Sequence, residues 1–193
     1  MNYNIKDYVT VYKKSINEDI IKNILHWCEN DATISPHWYS DYDGKKRNSE
    51  KEFDTCWLTE NEKGIDIWNV LKDIIWDDLS SYYEHCSKNI ELSLPWNGFT
   101  TPRINIYDKN TIMVDHIDHI HNVFDGERKG IPTCTVLGLL KNAELGGEFV
   151  MWNEENINME SGDIVIFPSN FMFRHGVREI IKGQRISFVS WVW

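Results

Sequence analysis

Arg185-Ile186-Ser187-Phe188-Val189-Ser190-Trp191-Val192-Trp193 sorts its side chains into two alternating rows. A period of two residues, filled by β-branched and aromatic types, is the pattern of a β-strand. Arg185, Ser187, Val189 and Trp191 share one face, and Ile186, Phe188 and Val192 share the other. Working outward, similar runs recur at 171–177, 163–167, 148–152, 133–140 and 103–107, with Gly146-Gly147, Ser161-Gly162 and Lys182-Gly183 as turns between them. Many short strands at near-regular spacing predict a sandwich or a jelly roll.

Upstream of Pro95 the period changes. Residues 7–13 alternate like one short strand, and Ser15-Ile16-Asn17-Glu18 reads as a capping box opening a helix through about Cys28. Ile67, Trp68, Leu71, Ile74, Ile75, Leu79, Tyr82 and Tyr83 fall at helical spacing across about 65–85, which marks a core-facing stripe. Between the two helices, about 30–53 is polar and without a clear period, and predicts a long loop or an irregular hairpin. Segments of that length are more often functional than idle. Its Trp38 and Tyr39 read either as a substrate-covering lid or as a small anchoring cluster. The expected fold class is α+β, a jelly-roll core buttressed by N-terminal helices. One domain is expected over 1–193, with helical support in about 1–95 and the chemistry-bearing strands in about 98–193.

Composition narrows the function classes. The 193 residues include 30 Asp+Glu against 20 Lys+Arg, a formal net charge of −10. That balance gives no electrostatic footprint for a phosphate backbone or an anionic membrane, so nucleic acid is disfavoured as a partner. Hydrophobic residues make up 41%, with nine Trp, enough to exclude a disordered chain. Cys28, Cys56, Cys86 and Cys134 are far apart and form no CxxC pair, which leaves a structural zinc site without support. No stretch approaches 18 apolar residues, and the first residues lack the apolar core of a signal peptide. The expectation is a cytoplasmic protein with reduced thiols.

Val114-Asp115-His116-Ile117-Asp118-His119-Ile120-His121 concentrates three histidines and two aspartates. In an extended chain His116 and Asp118 lie on one face, about 7 Å apart along the strand. An imidazole and a carboxylate so placed can take neighbouring positions on one metal. A second imidazole would complete a two-histidine, one-carboxylate facial triad, the donor set of non-haem Fe(II). His175 is the candidate, sharing a predicted strand face with Phe171, Phe173 and Val177. A lone histidine on an apolar face is more often a hydrogen-bonded core residue than a ligand. Arg185, ten residues on, shifts the balance. Arg185 heads a row that includes Val189 and Trp191, and an arginine there is expensive to bury unless an anion pairs with it. Its planar fork suits a carboxylate, and Ser187 on the same face can add a hydrogen bond to that group.

In order along the chain, Ile106-Tyr107, His116-Ile117-Asp118, Leu139-Leu140, Gly146-Gly147-Glu148-Phe149, Gly162-Asp163-Ile164-Val165-Ile166-Phe167-Pro168, His175 and Gly183-Gln184-Arg185-Ile186-Ser187 resemble the iron(II)/2-oxoglutarate dioxygenases. Within them the resemblance is to the prolyl 4-hydroxylase-like group. It covers about 103–193 strongly, and the helix, irregular segment, Trp57 and long helix upstream are similar in layout.

The resemblance implies a double-stranded β-helix with the metal at its mouth. It implies that His116, Asp118 and His175 bind Fe(II) and that Arg185 pairs with the distal carboxylate of 2-oxoglutarate. Tyr107 would reach the cosubstrate, and Trp191 would line the pocket. O2 is the oxidant, ascorbate an auxiliary reductant, and succinate and CO2 are released as a substrate C–H bond is hydroxylated. A peptidyl residue of a protein is the leading substrate, proline first. A free amino acid or small metabolite is the alternative. This chain has Leu139 or Leu140 where prolyl hydroxylases often carry a second Tyr, and no proline follows His175. The rival from another class is a cupin-like binding module. In it His119 and His121 would join His175, although alternation places them off the His116 face. Glu148 reads as structural or solvent-facing.

Overall fold

The computed structural model describes residues 4–37, 52–88, 96–118, 132–152 and 154–193. Along the chain these form β1 (Thr10–Tyr12), α1 (Glu18–Asn30), β2 (Ser35–His37), β3 (Phe53–Trp57), α2 (Glu62–Ser87), β4 (Arg103–Tyr107) and β5 (Met113–His116). There follow β6 (Cys134–Lys141), β7 (Leu145–Gly146), β8 (Phe149–Met151), β9 (Glu155–Asn156), β10 (Ile164–Pro168), β11 (His175–Val177), β12 (Ile180–Lys182) and β13 (Arg185–Val192). Single 3₁₀ turns occupy Ile5–Tyr8 and Leu58–Glu60.

Two sheets face each other. The larger has the order β1-β10-β6-β13-β4-β3-β2, and the smaller the order β5-β11-β8-β9, with β7 and β12 paired as a short ribbon. Pairing within all of them is antiparallel, and apart from β2–β3, β3–β4 and β8–β9 the neighbours in space are not consecutive in sequence. That is jelly-roll wiring, as the strand spacing predicted.

The period-two rows decide which side goes where. Outward-facing Ile104, Ile106, Val136, Ile164, Ile186 and Phe188 meet the helices in one apolar cluster with Ile24, Trp27, Leu71, Ile75, Leu79 and Tyr82. Each such aliphatic or aromatic side chain contributes about 1.5–3 kcal/mol by leaving water. Asn61 fastens the helical layer. Its carboxamide oxygen accepts from Gly64 N at 2.9 Å, capping α2, and from Trp27 Nε1 of α1 at 3.0 Å. Gly138 makes room for the Phe188 ring, since a Cβ there would stand 2.1 Å from Phe188 Cε1. Inward-facing Leu137, Val165 and Phe167 meet Phe149, Met151 and Val177 of the smaller sheet.

Several local expectations are corrected. α1 is capped by Asn17, whose side chain accepts from Ile20 N, and not by Ser15. α2 begins earlier than about 65, because Asn61 captures its first turn. The region at about 30–53, read as a long loop or an irregular hairpin, supplies β2 and leads into β3, and the two strands pair antiparallel with Ser35 opposite Thr55, in line with the second alternative. The run at 171–177 is strand only from His175. Phe171 is 73% exposed rather than packed beside Phe173 and Val177. All four cysteines are buried free thiols. Among the described residues no helix is long and apolar enough to cross a membrane.

Candidate metal centre

β5 and β11 run side by side with His116 directly opposite His175. The two imidazole centroids lie 4.5 Å apart. The backbones can approach this closely because residue 176 is glycine, and a Cβ there would meet Asp115 Oδ1 at 2.4 Å and Met113 O at 2.9 Å. β5 ends at His116, and the turn away from the strand swings Asp118 back toward both rings. Asp118 Oδ1 is 3.3 Å from His116 Nε2, and Oδ2 is 3.6 Å from His175 Nε2. The extended spacing of about 7 Å expected for a strand is therefore replaced by a much tighter cluster. All three ligand atoms lie within 4.8 Å of one another.

Protons decide what this cluster can hold. Nδ1 of His116 is 3.0 Å from Val114 O, and Nδ1 of His175 is 3.0 Å from Phe173 O. A carbonyl only accepts, so each Nδ1 donates, and in the neutral rings each Nε2 presents a lone pair. Burial pushes the His175 pKa down to about 4 against the opposing pull of Asp118, which keeps the ring neutral. Burial also opposes the His116 cation, but the hydrogen bond and charge of Asp118 outweigh it and raise that pKa. Burial alone would raise the Asp118 pKa. The electrostatic pull of the two imidazoles, His175 first, together with the hydrogen bonds of His116 and Thr135, holds it well below the usual carboxylate range. Thr135 Oγ1 donates to Asp118 Oδ2 at 2.6 Å and lies 2.7 Å from Ser169 Oγ.

Two nitrogen lone pairs and a carboxylate turned on one point repel one another unless a cation stands between them. Bonds of about 2.1 Å to a first-row divalent metal would put neighbouring donors about 3 Å apart, close to the separations seen here. The donor set thus fits Fe(II), and each ligand is oriented through a hydrogen bond from outside the cluster, as metal ligands usually are.

A second polar element lies deeper in the barrel. Arg185 is opposite Tyr107 across β13 and β4, and Ser187 is opposite Asn105. The Arg185 guanidinium is 2% exposed, donates from Nη1 to Ser187 Oγ at 2.8 Å, and stands 5.4 Å from the Tyr107 ring. Its Nη2 is buried with no partner. Burial lowers its pKa, against the influence of Tyr107. An orphaned buried guanidinium nitrogen is costly and invites an anion. A cavity of about 120 Å³, lined by Arg185, Leu139, Ala143, Gly147, Phe149 and Met159 among others, opens at this end. It is several times the 10–15 Å³ or so that one water needs. Tyr107 Oη donates to Met113 Sδ at 3.4 Å and accepts from Asn105 Nδ2 at 3.4 Å.

The structure therefore brings together His116, Asp118 and His175, and places Arg185, Ser187 and Tyr107 as a second group on the same barrel interior. Ser187 accepts from Arg185 instead of standing beside it as a parallel donor. Trp191 lies at the mouth with the Arg103 guanidinium 5.3 Å from its ring. Trp38, Tyr39, His119 and His121 lie outside the described residues, so neither the lid nor the three-histidine reading has a structural counterpart here. Glu148 is exposed. Sequence reasoning missed Thr135, Ser169 and Arg103. A threonine or serine at a strand end carries no signal of its own. Arg103, however, shares the face of Tyr107 by the same alternation that exposed Arg185.

The profile of the 2OG-Fe(II) oxygenase superfamily matches residues 102–193. A PKHD-type hydroxylase of Prochlorococcus marinus strain MIT 9312 is 29% identical over 122 residues, covering 60% of this chain and 54% of that protein. The chain thus spans about half the length of the curated relatives it matches. Among solved structures, a Trichoplax adhaerens prolyl hydroxylase in complex with a hypoxia inducible factor oxygen degradation domain peptide aligns with a TM-score of 0.69 at 16% identity, covering 97% of this chain and 84% of that one. The 2OG complex of a viral collagen prolyl hydroxylase from Paramecium Bursaria Chlorella virus-1 aligns at 0.62 and 14%, covering 96% and 94%. A Pseudomonas putida prolyl-4-hydroxylase aligns at 0.63 and 13%, covering 96% and 91%. At these identities the structural likenesses establish the fold, a double-stranded β-helix.

Proposed function

We propose that this chain, whose residues 102–193 match the profile of the 2OG-Fe(II) oxygenase superfamily, is an Fe(II)- and 2-oxoglutarate-dependent dioxygenase that hydroxylates a peptidyl residue. The observation that carries the reading is the pairing of two polar groups in one barrel: the ligand atoms of His116, Asp118 and His175 within 4.8 Å of one another, and a buried Arg185 whose Nη2 has no hydrogen-bond partner.

His116, Asp118 and His175 would hold the metal on one face, leaving its other positions open. With 2-oxoglutarate and O2, the bound iron supplies the oxidising power that places one oxygen atom on a substrate C–H carbon and the other in succinate, with loss of CO2. The remaining work belongs to the chain. Arg185 receives the distal carboxylate through Nη2, and Ser187 fixes the other arm of the fork. Tyr107 packs against that guanidinium, and its hydroxyl is near enough to join the cosubstrate's hydrogen bonds. Thr135 keeps Asp118 ionised and aimed. Phe149 and Phe167, with centroids 5.5 and 4.9 Å from the His175 ring, keep water from that side of the metal. In this reading 1–193 is a single oxygenase domain with α1 and α2 as its support. The four free thiols favour a reducing compartment, the cytoplasm.

A peptide is favoured over a small metabolite by the exposed apolar turn at Phe171 and Met172, which leads directly into His175. The Trichoplax neighbour, which holds a peptide, is consistent with the same use. The test is anaerobic addition of Fe(II) and then 2-oxoglutarate, watching for the weak visible charge-transfer band of the chelate. A band in the parent that is lost in Asp118→Ala supports the reading. No band and no retained iron would leave a jelly-roll binding module.

A further inference from the structure

We infer that Arg103 is the anchor for the substrate, and that it takes a carboxylate carried beside the carbon to be oxidised. The inference rests on the oxygenase reading above and adds a substrate class to it. On β4, Arg103, Asn105 and Tyr107 occupy one inward row. Tyr107 sits opposite Arg185, while Arg103 sits opposite Val189, nearer the mouth and next to the row of Trp191. One barrel face therefore presents two guanidinium groups at different depths. Only the deeper is accounted for by the cosubstrate.

The shallower guanidinium is rigidly placed. Its Nε donates to Asn105 Oδ1 at 2.9 Å, and its plane stands 5.3 Å from the Trp191 ring and 5.9 Å from the Phe53 ring. Among the described residues, neither Nη1 nor Nη2 has a hydrogen bond, and Arg103 forms no ion pair. Asp118 and Glu52 are close enough for their charges to act on it. Asp118 is committed to the metal cluster, and Glu52, whose pKa burial raises, feels His116 ahead of Arg103 and keeps Oε2 buried without a hydrogen-bond partner. Among the described residues nothing bonds to the two-nitrogen edge of Arg103, the edge that binds a carboxylate bidentately. Its rotamer is already fixed by the flanking rings, so little ordering cost remains for binding. A neutral amide cannot make the same charge-assisted pair.

The carboxylate can come from an acidic residue flanking the target within a peptide, or from the α-carboxylate of a free amino acid. Paired libraries of short capped peptides, each with Asp or Glu at one position flanking a central residue and each with the matching Asn or Gln, separate these sources. Twenty or so free amino acids form the third arm. Hydroxylation is read as a mass gain of one oxygen atom. Binding is read separately by calorimetry on the Mn(II)- and 2-oxoglutarate-loaded full chain, where no turnover occurs.

The expected result is a preference of about tenfold or more for acidic members over their amide partners. That preference collapses in Arg103→Met and partly survives in Arg103→Lys, with near-ultraviolet circular dichroism showing that both variants fold. Preference for free amino acids supports the anchor and moves the source to the α-carboxylate. Equal binding of acidic and amide members, an unchanged preference in Arg103→Met, or no binding of any probe overturns the inference. Loss of the charge-transfer band in the parent would instead overturn the oxygenase reading.

Discussion

The two faces of the larger sheet are made from the same strands and obey different rules. On β13, Ile186, Phe188 and Val192, with Ser190 in the same row, point outward into a mainly apolar layer closed by α1 and α2. Arg185, Ser187 and Trp191, one residue out of step, point inward beside Arg103, Asn105 and Tyr107. The outward face is built mainly from side chains that exclude water. The inward face buries a guanidinium with an idle nitrogen and two imidazoles aimed at a carboxylate, arrangements that cost stability unless ligands complete them. A single alternation thus separates what holds the protein together from what it does.

That separation can be broken from either side. The largest effect is expected from His175→Ala, which removes one candidate metal ligand. Succinate formation should fall more than about 1,000-fold, while the chain stays folded. Normal succinate output from this variant would sink the triad. Next comes the opposite face, where Phe188→Ala should cost about 3–5 kcal/mol in chemical denaturation by opening a void at Gly138, yet leave the iron–2-oxoglutarate band intact in the fraction that folds. Arg185→Met should raise the 2-oxoglutarate requirement about 10- to 100-fold, and its melting temperature should not fall, because an unpaired buried charge is removed. A drop of several degrees would mean that Arg185 is structural.

The smallest effect lies at the edge of both faces. Asp163 accepts from Lys13 Nζ at 2.8 Å, Lys14 N at 2.9 Å and Glu160 N at 2.8 Å. Burial alone would raise its pKa, but these donors and the Lys13 charge bring it below the ordinary value. A depressed carboxyl stabilises the fold above its unfolded pKa, and that contribution fades as acid takes the pH down through the folded value. Asp163→Asn should therefore lose about 1 kcal/mol at neutral pH and converge with the parent in acid, as thermal melts across pH would show.

The sequence made some of this architecture legible and hid the rest for physical reasons. β4, β6, β10 and β13 were readable because one side of each meets helices and the other a second sheet, so burial enforces the period. The His116 and Asp118 pair was readable from spacing, but its geometry was not. An extended chain keeps them apart, and only the turn after β5 brings Asp118 back. Phe171 was misplaced because a run of apolar residues carries no mark of where its strand starts. β2 and β3 were legible only as one of two alternatives because Ser35-Pro36-His37 has neither length nor alternation, and tertiary pairing alone makes it a strand. Thr135 and Ser169 act through position rather than type.

Among the described residues the larger sheet ends at β1 on one side and β2 on the other, each three residues long. Pro36 has no N–H to offer a further strand. A barrel with an open mouth and exposed apolar rim residues, such as Phe171, is at risk of templating its own polymer through any long free edge. Short borders and a proline on one of them deny a neighbouring copy the ladder it would need. The same brevity lets the protein be crowded at high concentration without its sheets joining end to end.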